Sequence, residues 1–157
     1  MSGLSTRPHK RMGVYKNIHQ VPDHHRLEEH ETAYVDKDVW EDYLDWYLVP
    51  PRNSESKREQ ANRSFRLWNS FMQERGRHYA LADPSDVEVW SQRLLDEYAP
   101  GYAYTNWAQI ERFYSWLQTN PDYIHVYQPF WMAAANRTEA ADELWNIKVT
   151  RHWEGMD

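Results

Sequence analysis

The sequence predicts an all-α fold, and three observations carry that reading. Aromatic and apolar residues recur at three- and four-residue spacing from about position 36 onward, alternating strand patterns are nearly absent, and proline, glycine or asparagine punctuates each periodic stretch. The chain has 157 residues, 41% hydrophobic and 15% aromatic, with nine Trp and eleven Tyr, which is enough to bury one core of ordinary size.

Residues 1–35 mix proline, histidine, glycine and charge without a sustained period and read as a mobile tail. A first helix, A, begins at Asp36, with Trp40, Tyr43, Leu44, Tyr47 and Leu48 on one face, and stops at Pro50-Pro51 because proline lacks an N–H donor and clashes with the preceding turn. Helix B spans about 54–75: Ser54 is a candidate N-cap, Ala61, Phe65, Trp68 and Met72 form its stripe, and Gly76 suits a left-handed exit. Asp83-Pro84-Ser85-Asp86 reads as N-cap, first-turn proline and first-turn acid for helix C, whose Val87, Trp90, Leu94 and Tyr98 lead to Pro100-Gly101. Helix D runs over about 103–118, with Trp107, Ile110, Phe113, Tyr114 and Leu117, and ends at Asn120-Pro121. A short helix near 130–135 and a final one capped by Thr138 complete a bundle of five or six helices.

Composition narrows the function. There is no apolar run of the roughly 20 residues that cross a bilayer, no apolar leader core at the N-terminus, and no cysteine for disulfides or thiolate zinc sites, so a cytoplasmic location is expected. The net charge of -6 supplies no overall pull toward nucleic acid, but the charges are segregated. Arg7, Lys10, Arg11 and Lys16 precede the first acid. Nine acids face Arg26 and Lys37 between 21 and 49. Between 50 and 77 seven basic residues face three acids, which makes that stretch a candidate phosphate contact. His24, His25 and His30 lie among Glu28, Glu29 and Glu31, a composition explained by a solvated acidic segment rather than a metal site, and no cofactor or metal is expected.

Four elements in order carry a resemblance. Ser54, Lys57, Ala61, Phe65, Trp68 and Phe71 keep the spacing S-x-x-T-x-x-x-Y-x-x-x-L-x-x-F-x-x-W, with Lys57 and Ala61 departing in type. Leu81-Ala-Asp-Pro-Ser-Asp-Val87 enters helix C, and Ile110-Glu-Arg-Phe-Tyr-Ser-Trp-Leu117 followed by Asn120-Pro121 closes helix D. Residues 36–121 thereby resemble the SAM-like, N-terminal core-binding domain of the tyrosine recombinase (phage integrase) family, with 122–157 as a helical extension. The resemblance implies a four-helix module that forms half of a clamp on double-stranded DNA during site-specific recombination or integration. In the family, helices B and D cross the grooves and helix A meets a neighbouring protomer, so another copy or a recombinase protomer is an implied partner, through helix A or the C-terminal helix.

The residues permit such a role. Opposite the stripe of helix B lie Ser56, Glu59, Arg63, Arg66 and Ser70, and Lys57 and Arg58 flank its first turn, where free N–H groups favour an anion. On helix D, Thr105, Asn106, Gln109 and Arg112 are the candidates for phosphates or base edges. Strand cleavage is not expected. The family's catalytic arginine, lysine, H-x-x-R pair and tyrosine belong to a further domain, only 36 residues follow Pro121, and none of the eight histidines has arginine three places on. The alternative is a protein-interaction module that uses Tyr123, Tyr127, Phe130 and Trp131 together with acidic helix A. A hydrolase would need converging carboxylates or a base–nucleophile pair, for which no spacing is specific.

Overall fold

The computed structural model describes residues 15, 17–123, 125–135 and 139–155, with no strand among them. Three short 3-10 turns (Ile18–Gln20, Asp23–His25, Leu27–His30) precede α1 (Glu31–Tyr34), α2 (Val39–Tyr47), α3 (Glu55–Glu74), α4 (Pro84–Glu97), α5 (Pro100–Thr119), α6 (Pro129–Ala135) and α7 (Glu139–Gly155).

Local chemistry sets most boundaries. Ser54 accepts the Lys57 amide at the start of α3, and Gly76 leaves that helix at φ 72, a conformation glycine adopts without steric cost. Asp83 and Asp86 form a reciprocal capping box at α4, with Pro84 in its first turn. Pro100 does not end helix C: it opens α5, three residues earlier than the sequence suggests, because the first turn has no use for the missing N–H. The Thr138 cap lies outside the described residues.

Helix α2 lays Trp40, Tyr43, Leu44 and Tyr47 into the core. Trp40 stacks on Phe65 of α3 with ring centroids 4.5 Å apart, and Tyr43 meets Phe113 and Trp116 of α5 edge-on at 5.4 and 5.6 Å. Helix α5 is central. Ten of its residues are buried, spread around most of its circumference, because α3, α4, α6 and α7 all pack on it. The loop between α3 and α4 is buried at Ala80–Ala82, and its polar backbone is satisfied by side chains. Trp68 Nε1 and the Tyr114 hydroxyl both donate to the Tyr79 carbonyl at 2.7 Å, while Ala82 N donates back to Tyr114 Oη at 3.1 Å. Asp86, fully buried, is held by Arg75, by Arg77 at 3.5 Å and by the Asp83 amide.

One expectation about organisation is corrected. The 1–35 stretch is not a tail throughout: Val21, Leu27 and Tyr34 are buried, and Leu27 N donates to Tyr127 Oη at 2.9 Å across the chain. Single apolar residues without a period suffice, since each fully buried side chain of this size contributes roughly 1.5–3 kcal/mol. The basic residues Arg7, Lys10, Arg11 and Lys16 lie outside the described residues. The helical extension after residue 121 packs into the same core. Phe130 of α6 is fully buried between Trp68, Trp90, Trp107 and Tyr114, at 5.5, 6.3, 5.3 and 5.4 Å. Helix α7 closes the bundle of its own chain. The Glu88 carboxylate accepts the Ala140 and Ala141 amides at 3.0 and 2.9 Å, and Lys148 Nζ reaches buried Glu111 at 2.6 Å.

Candidate nucleic-acid interface

The long amphipathic α3 buries Ala61, Ser64, Trp68, Phe71 and Met72, which turns positions 63, 66 and 70 outward. Arg63 and Arg66 are exposed, as the helical period predicts. Arg63 lies over the Tyr102 ring at 5.7 Å, and Arg66 pairs with Glu59 at 3.0 Å. A neighbouring arginine joins them: Arg93 of α4 sits over Phe71 at 5.0 Å and pairs with Glu74 at 2.8 Å. Together Arg63, Arg66 and Arg93 line a groove of about 320 Å3 between α3 and α4, floored by Phe71, Trp90 and Leu94 and bounded by Glu74, Glu97 and Tyr98. Sequence reasoning missed Arg93. It flanks the Val87/Trp90/Leu94 stripe and reads as a solvated charge until α3 is packed beside it.

The ion pairs on this groove are weak restraints. The side chains of Arg66 and Glu59 are 61% and 66% exposed, and such pairs contribute about 0–1 kcal/mol. A phosphate, carrying its own charge and bidentate geometry, can displace either carboxylate from its arginine.

The other sequence candidates divide. Lys57 is exposed and Arg58 half-buried at the first turn of α3, where Ser54 already takes one free amide. On α5 the expectation is corrected for two residues. Asn106 is buried, accepting the Ser64 hydroxyl at 2.8 Å and donating to the Tyr102 carbonyl at 3.0 Å. Gln109 is also buried, and its Oε1 accepts from Arg112 at 3.3 Å. The helical wheel gave α5 a polar outer face, but it is covered at Asn106 and Gln109, whose polar groups bond to the protein instead. Thr105 is half-buried and donates to the Gly101 carbonyl at 3.0 Å. Arg112 is exposed but lies over the Tyr47 ring at 5.2 Å and donates to the Tyr47 hydroxyl, so it ties α5 to α2 rather than joining the α3 arginines.

The aromatic surface expected for protein interaction is also corrected. Tyr123, Tyr127 and Phe130 are buried, and half-buried Trp131 donates Nε1 to Glu111 at 2.7 Å. The exposed large apolar residues are elsewhere, Trp46 at 51% foremost among the rings. His30 Nε2 lies 2.8 Å from the His24 carbonyl oxygen, which occupies that ring nitrogen within the backbone turn. No helix of the described residues is long and apolar enough to cross a membrane.

No protein-family model matches the chain, and no curated protein and no solved structure matches it either.

Proposed function

We propose that the chain is a DNA-binding module of the recombinase core-binding kind, a SAM-like bundle that grips duplex DNA and does not itself cut it. The observation that carries the reading is the convergence of Arg63, Arg66 and Arg93 from two helices on one open groove, with Lys57 and Arg58 further along α3. Three cations from two neighbouring helices on one open groove suit a run of phosphates better than a point ligand, whereas Lys57 and Arg58, six and five residues before Arg63, lie on other sides of α3. The order of helices A to D and their motifs supports the same reading. Thr105 and Arg112 border the module from α5, whereas Asn106 and Gln109 contribute to its core. The overall charge of -6 makes the grip local: the duplex is held by this face against a weakly repulsive remainder.

The test is fluorescence anisotropy of a labelled duplex of random sequence across a salt series. Log affinity falls linearly with log salt, and Arg63→Ala/Arg66→Ala weakens binding uniformly across sequences while lowering the slope by about 2, one counterion per phosphate lost. Unchanged circular dichroism is expected, since both side chains lie outside the core. A duplex that fails to bind at low salt, or a double variant with unaltered slope, removes the reading.

A further inference from the structure

A second concavity lies apart from the arginine groove and has the opposite character. Asp38, Asp42 and Asp45 of the α2 region, Asp122 after α5, and the rings of Trp46, Trp116 and Tyr123 line a pocket of about 620 Å3. The rings form a continuous wall: Trp46 and Trp116 have centroids 6.4 Å apart, and Trp116 and Tyr123 5.4 Å. Trp46, half in solvent, is the outer leaf, whereas Trp116 and Tyr123 are almost covered and fixed. The Tyr123 hydroxyl donates to Asp42 Oδ2 at 2.7 Å, so one carboxylate is anchored to the wall. Lys37 of the same chain places its ammonium over Tyr34 and Tyr123, at 5.5 and 5.3 Å, which shows that this ring system takes a cation.

Aromatic faces and carboxylates together select a planar organic cation. The negative face of each ring and the carboxylates both attract positive charge, yet among the described residues no three His, Asp or Glu groups come together to hold a metal ion. The acids line a rim instead of meeting at a point. Of the two protein cations, the guanidinium stacks flat on indole and bonds a carboxylate with two parallel N–H groups; an ammonium does neither. Four aspartates against one lysine give the lining a strong negative excess, complementary to a basic segment. We infer that this pocket receives an arginine side chain presented by a basic segment of a partner protein, with Trp46 stacking on the guanidinium against the wall of Trp116 and Tyr123 and the aspartate rim bonding it. The inference does not rest on the DNA reading, because the two surfaces share no residue.

The probe is a labelled glycine/serine peptide carrying several arginines, compared with the same peptide bearing lysine or the neutral isostere citrulline, by anisotropy at low salt. The arginine peptide binds, the lysine peptide binds several-fold more weakly, and the citrulline peptide does not bind. Trp46→Ala weakens the arginine peptide about tenfold, the size of a partly desolvated cation–ring contact. Asp45→Asn weakens it and flattens its salt dependence. Both residues are exposed, so neither substitution opens a cavity. Arg63→Ala/Arg66→Ala leaves peptide affinity unchanged, so loss of DNA binding and loss of peptide binding are separable. Absence of binding by the arginine peptide, equal binding of its lysine or citrulline counterpart, or a Trp46→Ala variant that binds as well as the parent overturns the inference.

Discussion

Neither ring nitrogen of His125 has a hydrogen-bond partner among the described residues, although the side chain is buried between Tyr34 and Tyr114. Burial, reinforced by His30 and His78, lowers its pKa from 6.5 to about 3. The unfolded chain therefore takes up a proton below pH 6.5 that the folded chain refuses, so stability is full above that pH and falls steadily as pH drops toward 3. At pH 5 the loss relative to neutral pH is about 2 kcal/mol. His78, also lowered by burial, adds to the slope in the same direction. His125→Leu removes a buried unpaired polar group, so we expect it to be neutral or stabilising at pH 7 and to flatten the decline between pH 7 and 5. Urea midpoints at the two pH values measure this; parallel slopes in parent and variant would show that another group takes up the proton. The residue scale also explains why Asn106 and Gln109 were misread. An amide on a helix looks solvent-facing when neighbours in sequence are the only guide, and what decides its exposure is the helix packed over it, as Ser64 of α3 is for Asn106.

Among the elements, α6 is short, seven residues, yet it supplies the centre of the aromatic core. Phe130 touches rings from α3, α4 and α5 at once, so Phe130→Ala leaves a cavity that four fixed rings cannot collapse into. The expected cost is about 4 kcal/mol by chemical denaturation, with loss of near-ultraviolet dichroism before loss of helix signal. A cost below about 1 kcal/mol would mean that the rings repack. The helices themselves were legible because their signals are local: Ser54, Asp83-Pro84 and Gly76 act through the backbone one to three residues away. Pro100 was ambiguous for an equally local reason, since proline both stops one helix and starts the next. The role of α6 was not legible. Its stretch has too few turns for a period to emerge, and its partners lie up to 62 positions away at Trp68.

At the scale of the molecule, the sequence announced an acidic protein with a basic stretch, and folding turns this into two separate surfaces, an arginine groove and an aspartate-rimmed aromatic pocket. The arginines of α3 were visible because one exposed helix face carries them. The pocket was not, because it draws on α2, the end of α5 and the turn beyond, which come together only when the bundle closes. The same closure appears in three tyrosines that act as clasps. The hydroxyls of Tyr79, Tyr114 and Tyr127 accept the amides of Trp40, Ala82 and Leu27, respectively, the last from 100 residues away. Ala82 and Leu27 lie outside the α-helices, where backbone amides ordinarily trade their hydrogens with solvent within local fluctuations. Here each is tied to a ring that leaves the core only when the core opens. In deuterated buffer these two amides should exchange as slowly as those in the middle of α5, and Tyr127→Phe should free Leu27 while leaving Ala82 protected, so that a single isotope-labelled position marks whether the N-terminal segment is docked.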